Sequence, residues 1–176
     1  MKSLTLLLKG GLGNQMFQYA AARSISQKYN LNLYIDTQTG FNFDYKFNRK
    51  LEINQLNTLY KESRSFKKIP VWFLGKFART ILSKKDFSYY LFTFFKNGYL
   101  LDNNKNFINK LNIIENINDL FMDGYFQSHL YFQNISTQIC NELKPPKSKK
   151  ANFRKIATAM RKENSVAICL RLYEEV

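Results

Sequence analysis

Lys9-Gly10-Gly11-Leu12-Gly13-Asn14-Gln15-Met16-Phe17-Gln18-Tyr19-Ala20 is the stretch on which the fold of this 176-residue chain turns. An apolar run, Leu4-Thr5-Leu6-Leu7-Leu8, stands before it, and a helical pattern follows it. Strand, glycine turn and helix open a βαβ unit, and such folds place ligands at that turn. Gly10, Gly11 and Gly13 let the backbone turn sharply and approach a bound group closely. The first amides of the helix face that group with the positive end of the helix dipole. Asn14 and Gln15 add side-chain amides that both donate and accept hydrogen bonds, which suits a sugar or a nucleotide better than a bare ion. The same turn also serves a purely architectural role, letting the helix pack on the sheet. It is a poor dinucleotide fingerprint: the third glycine of G-x-G-x-x-G is replaced by Met16, which disfavours an oxidoreductase.

Working outward, Phe17, Ala21, Ile25 and Tyr29 form one stripe, predicting a helix over 14–29 that ends near Asn30. Residues 32–35 read as the second strand, with Asp36 at its carboxyl end, either beside a ligand or capping the next segment. Arg49 reads as a solvated charge. From Arg64 to Tyr99 lysines and arginines interleave with aromatic residues, and Ile69, Phe73, Phe77 and Ile81 make a stripe flanked by cations. That pattern fits a core-packed helix, an anionic membrane surface or, less well, single-stranded nucleic acid. A strand leads into Gly124-Tyr125-Phe126-Gln127-Ser128, with Ser128 as a helix cap. The helix is expected to run on through Phe132, Ile135, Ile139 and Leu143, and Lys144-Pro145-Pro146-Lys147 forms a boundary. A short helix with Phe153, Ile156, Ala157 and Met160 inward follows, then an apolar strand from Val166 to Leu170.

Composition sets outer bounds. An apolar fraction of 45% and an aromatic fraction of 16% describe a globular chain. A net charge of +14 and a pI near 9.8 imply attraction to nucleic acid, to an anionic membrane or to a phosphate-bearing substrate. The two cysteines, Cys140 and Cys169, read as buried free thiols, which excludes a disulfide scaffold, and a single histidine gives no support to a Cys/His metal site. The first apolar run is too short for a membrane span or a signal peptide.

Gly10 to Arg23, read together, closely resembles the N-terminal signature of the α-1,2-fucosyltransferases, glycosyltransferase family 11. Two further points carry the resemblance: Gly124-Tyr125-Phe126-Gln127-Ser128 followed by Tyr131-Phe132, and Cys169-Leu170-Arg171-Leu172-Tyr173-Glu174. In that last segment the family has His-x-Arg-x-Gly-Asp. Arg171 is kept, while Cys169, Tyr173 and Glu174 replace the histidine, glycine and aspartate.

The resemblance implies inverting transfer of fucose from GDP-fucose to a galactoside hydroxyl, in α-1,2 linkage, with no obligatory metal or other cofactor. It also implies a two-domain GT-B-type architecture of facing Rossmann-like domains, each a parallel sheet with helices on both faces. On this chain residues 1–145 would be the acceptor-side domain, and 146–176 a linker helix with the first strand of an incomplete donor-binding domain. Arg171 would grip the donor diphosphate, because its planar guanidinium pairs bidentately with phosphate. Gly11, Gly13, Asn14 and Gln15 would complete the donor side of the cleft. Tyr125 and Gln127 would serve the acceptor, a ring to stack on and an amide to pair with hydroxyls. Asp36, Asp123 and Glu174 are the acids near predicted strand ends, and none is assigned as general base. The implied setting is bacterial surface-glycan synthesis on a lipid-linked or oligosaccharide acceptor, in the cytoplasm or peripheral at the inner membrane. The rival reading is a non-catalytic basic module for nucleic acid or an anionic membrane; a steep fall of affinity with salt would mark nucleic acid. On the family reading the chain stops just after the arginine motif, as a truncated product, and these 176 residues alone do not turn over GDP-fucose. Incubating the chain with GDP-fucose and a β-galactoside is expected to yield no fucosylated product, and robust turnover overturns that expectation.

Overall fold

A computed structural model describes residues 2–42, 44–63, 98–101, 119–166 and 168. The cation–aromatic segment of 64–97 and the motif of 169–176 lie outside the described residues. Among those described, the chain divides into two compact units, Met1–Lys144 and Pro145–Val176.

The first unit is built on a parallel sheet of β1 (Ser3–Leu7), β2 (Asn32–Asp36), β3 (Lys61–Glu62), β4 (Gly98–Leu101) and β5 (Asp119–Asp123), in the order β3-β2-β1-β5-β4. The α/β class expected from the sequence is present. β1 is central, pairing Ser3 with Asn32 and Leu7 with Asp36 on one side, and Ser3 with Asp119 and Leu6 with Met122 on the other. Successive strand residues point to opposite faces. Leu4, Thr5, Leu6 and Leu7 are nevertheless all at most 2% exposed, so both faces of β1 are covered. An unbroken apolar run is the sequence consequence of that double burial.

Helix α1 (Leu12–Lys28) begins two residues earlier than the sequence suggests, with Gly11 as its extended N-cap. Its end matches expectation in detail. Asn30 takes a left-handed φ of 50°, its N–H donates to the Gln27 carbonyl at 3.3 Å, and the Leu31 N–H donates to the Ser26 carbonyl at 2.9 Å. This is a Schellman-type closure, in which asparagine tolerates the left-handed turn. The buried face keeps Ala21 and Ile25 of the predicted stripe, with Tyr29 packed against the core, but it is wider and leaves Phe17 out. Phe17 is 36% exposed, while Gln15, Gln18, Tyr19 and Ala20 to Ala22 are at most 1% exposed. The physical reason is that two glutamines find complete sets of hydrogen-bond partners and the alanines allow close approach to β1 and β2.

Three further expectations are corrected. The helix expected through 143 is broken into single 3₁₀ turns at His129–Tyr131 and Gln133–Ile135, followed by α3 (Ser136–Glu142). Phe132 (φ −136°, ψ 17°) and Ile135 (φ −124°, ψ 23°) leave helical geometry. The rings of Tyr131 and Phe132 are thereby turned onto two anchors, Phe126 at 5.6 Å and Phe17 at 6.1 Å between centroids. Cys140 is exposed, not buried, because α3 turns Ile139 and Glu142 inward and its neighbour outward. In the second unit, α4 (Ala151–Lys162) forms as expected, but Phe153, Ile156 and Met160 remain 56, 54 and 43% exposed. Val166 and Ile168 have no ladder partner among the described residues, and residues 167, 169 and 170 of the expected strand lie outside them.

A buried polar network locks α1 to α3. The carboxylate of Glu142 accepts from the Tyr19 hydroxyl, from Gln138 Nε2 at 2.7 Å and from the Arg23 guanidinium at 3.3 Å. The Leu59 amide donates to the Tyr19 hydroxyl oxygen at 2.9 Å, bringing the 53–60 segment in as well. Burial, reinforced by Glu142, pushes the Tyr19 hydroxyl well above the ordinary tyrosine range, and burial also raises Tyr60. The folded state therefore holds these protons after the unfolded chain has released them. Stability is complete below the ordinary tyrosine value of 10.0 and is lost as pH rises through the folded-state value. Above pH ~10 the loss attributable to Tyr19 approaches ~1.4 kcal/mol per pH unit. Urea melts between pH 8 and ~11 are expected to show a shallower alkaline decline for Tyr19→Phe than for the parent chain. Equal slopes would show that Tyr19 ionises alike in both states.

Candidate functional site at the carboxyl end of the sheet

In the order β3-β2-β1-β5-β4 the chain steps outward from β1 to β3, crosses to β4 and returns to β5, so β1 and β5 lie side by side. In open α/β sheets ligand crevices lie outside the carboxyl ends of the strands. The glycine turn leaves β1 there, and Gly124-Tyr125-Phe126-Gln127 leaves β5 there. Residues 113 positions apart meet: Gln127 Nε2 donates to Asn14 Oδ1 at 2.7 Å. The ammonium of Lys9 pairs with Asp123 Oδ1 and lies 5.4 Å from the centroid of the Tyr125 ring. Asp123 is 4% exposed, the Lys9 side chain 25% and Tyr125 38%. The result is an accessible ring beside a pair of amides, underlain by a buried ion pair.

The turn is held from below by two glutamines. Gln15 Nε2 donates to the carbonyls of Gly10 (2.8 Å) and Lys50 (2.9 Å), and its Oε1 accepts from the amides of Glu52 (3.0 Å) and Ile53 (3.1 Å). Gln18 accepts from the Lys9 amide at 3.1 Å and donates to the carbonyls of Lys9 (2.7 Å) and Asn14 (3.0 Å). Gln15 is fully buried with both donors and both acceptor positions used. This corrects the expectation that it touches the donor: it positions the turn and has no hydrogen-bonding capacity left for a ligand.

The other expected residues divide clearly. Asn14, Gly11, Gly13, Tyr125 and Gln127 are brought to the same end of the sheet. Asp36 is set apart by its bonds, since its Oδ1 accepts the amides of Gln38 (3.1 Å) and Thr39 (2.9 Å) and so caps α2 (Thr39–Asn42). Arg49 is partly buried, with its guanidinium 4.2 Å from the centroid of the exposed Phe47 ring. Arg171 and Glu174 lie outside the described residues. Among the described residues no group of three or more His, Cys, Asp or Glu could hold a metal ion. Sequence reading passed over Lys9, Gln18 and Gly40. A Cβ on Gly40 would stand 2.1 Å from the Leu8 carbonyl oxygen, so that loop lies directly on the end of β1. The signal available for Gln18 was a polar residue interrupting the apolar face of α1, one turn after Asn14. No protein-family model, no curated protein and no solved structure matches the chain.

The glycines differ in what they do. Gly10 has φ +83°, and a Cβ there would lie 3.0 Å from Asn14 Nδ2 and 3.2 Å from Tyr125 Cε1. Gly11 and Gly13 have ordinary backbone angles or helical geometry, and a Cβ at either meets nothing within 4 Å. Gly10→Ala is expected to destabilise by ~1–2 kcal/mol, whereas Gly13→Ala, inside a helix, stabilises by up to ~1 kcal/mol. Gly11→Ala is expected to be near neutral. Chemical denaturation of the three variants checks this ranking, and a large loss at Gly13 would contradict it.

Proposed function

We propose that this chain forms the acceptor-side part of a GT-B-type glycosyltransferase that moves fucose from GDP-fucose to a galactoside hydroxyl in α-1,2 linkage with inversion. The observation that carries the reading is the cluster of Tyr125, Asn14, Gln127 and the Lys9–Asp123 pair at the carboxyl ends of β1 and β5. A pyranose presents an apolar face to a ring and hydroxyls at its rim, and sites that fix such ligands combine an aromatic surface with a few placed polar groups. The open space over Gly11 and Gly13 leaves room for a bulky group against the start of α1. Three stretches resembling the α-1,2-fucosyltransferases add the specific donor and linkage.

In this mechanism the chain's own residues bind and orient. The Tyr125 ring stacks on the acceptor sugar. The amides of Asn14 and Gln127, each holding the other, donate and accept at adjacent hydroxyls. The buried Asp123 carboxylate, its charge balanced by Lys9, underlies these amides and the ring. Arg171 binds the donor diphosphate and stabilises the charge that develops on the leaving nucleotide, the task that a metal performs in other transferases. The donor is GDP-fucose, and the partner is a galactose-containing oligosaccharide or lipid-linked glycan.

Acceptor recognition is measurable without turnover. A β-galactoside added to the full chain is expected to shift backbone amide resonances around Gly10 to Asn14 and Gly124 to Gln127. Tyr125→Ala and Asn14→Ala should each weaken binding by ~10-fold, the loss of one stacking or hydrogen-bonding contact of about 1.4 kcal/mol. The reading fails if the galactoside shifts no resonance in these two stretches, or if glucose- and galactose-containing ligands and an unrelated polyol bind alike.

A further inference from the structure

Helix α4 carries a second surface that the candidate site on the first unit does not use. Phe153, Ile156, Ala157 and Met160 fall at i, i+3, i+4 and i+7, so they share one face of the helix. Phe153, Ile156 and Met160 keep 56, 54 and 43% of their surface exposed. Around this stripe the charge is positive apart from Glu163 at the helix's C-terminal end. Lys144, Lys147, Lys149, Lys150, Arg154, Lys155, Arg161 and Lys162 are all exposed, and no Asp or Glu occurs from 144 to 162. Lys150 Nζ reaches to 5.7 Å from the Phe153 ring centroid, so a cation sits at the edge of the apolar face.

Two separate features point to the same occupant. A cluster of four to eight Lys and Arg on an amphipathic helix matches the negative potential of an anionic leaflet. An apolar stripe containing an aromatic residue, opposed by cations, is the pattern of a helix that lies in the interface with its apolar face among the acyl chains. Nucleic acid accounts for the charge but leaves Ile156 and Met160 without a role, since single strands are held by stacked aromatics and Phe153 is the helix's one ring. A second copy of the chain would set like charges against each other along the same helix.

We infer that α4, with the lysines that precede it, is a peripheral anchor that lies in the surface of an anionic phospholipid bilayer, burying Phe153, Ile156 and Met160. The inference rests on α4 alone and is independent of what the site around Tyr125 binds. Galactoside binding and vesicle binding therefore fail separately.

The test uses the full chain and vesicles of phosphatidylcholine, either alone or mixed equally with phosphatidylglycerol. Co-sedimentation is expected with the mixed vesicles and not with the neutral ones. Replacing Lys149, Lys150, Arg154 and Lys155 by glutamine should weaken partitioning ~100-fold or more. Replacing Phe153, Ile156 and Met160 by serine should weaken it ~10-fold or more. Phe153→Trp, read as a difference spectrum against the parent, should shift to the blue when mixed vesicles are added. All seven side chains are exposed, and far-UV circular dichroism confirms that each variant stays folded; if the triple serine variant does not, Ile156→Ser alone replaces it. Equal binding to both vesicle types overturns the inference. So does binding that survives the serine replacements and is matched by single-stranded nucleic acid, which would mark a general polyanion surface. So, too, does a loss of self-association in the serine variant with no effect on vesicles, which would make the stripe a contact between copies.

Discussion

Two buried side-chain amides fix the geometry on which the first unit depends. Gln15 and Gln18 sit at 0% exposure on the face of α1 that meets the sheet, where an apolar residue would ordinarily be placed. Between them they tie the α1 start to the turn backbone from Gly10 to Asn14 and to the chain at 50–53. A turn containing three glycines is otherwise costly to order, because glycine loses more backbone freedom than any other residue. Buried polar groups are retained when every partner is supplied, and they then impose one arrangement where an apolar core would tolerate several. The glycines and the glutamines are thus a single device: Gly10 and Gly40 permit the close approach, and the amides hold it.

The ion pair between Lys9 and Asp123 belongs to the same logic. β1 and β5 are neighbours in the sheet but 114 residues apart along the chain. Closing them side by side brings together a cation from the end of one and an acid from the end of the other. Neither charge would be tolerated at that depth alone. Together they form a polar floor beneath Tyr125 and the Asn14–Gln127 amides. The segments that leave β1 and β5 meet above this floor through Asn14 and Gln127, at the carboxyl end of the sheet where ligands of open α/β folds lie.

Much of this was legible in the sequence because it is local. The run from Leu4 to Leu8, the glycine turn, and the asparagine end of α1 each follow from short-range rules, and each took the expected form. What could not be read was non-local. Gln18 looks like any polar residue on a helix until its partners, the Lys9 backbone and the Asn14 carbonyl, are in place. Asp36 and Asp123 stand at equivalent strand ends, and sequence offered no way to rank them. The fold separates them, spending Asp36 on the cap of α2 and leaving Asp123 under the crevice. The broken helix after Ser128 is of the same kind, since Phe17 and Phe126 decide where Tyr131 and Phe132 turn.

The excess of positive charge gains meaning from its placement. A net +14 fits several polyanionic partners equally well when treated as a sum. In the folded chain it is not one property. Lys9 is half-buried, paired and aimed at a ring, so it contributes to a site. Arg23 is bound to Glu142 inside a network and contributes to the core. The cations from Lys144 to Lys162 are exposed, gathered within one short stretch and joined to an apolar stripe. Charge of the first two kinds is paired and partly buried and so is screened much less by salt, while charge of the third kind is screened within a Debye length of about 8 Å at physiological ionic strength. An attraction so short-ranged acts only at contact, and it is therefore the apolar stripe beside those cations, not the net charge of the whole chain, that distinguishes one anionic partner from another.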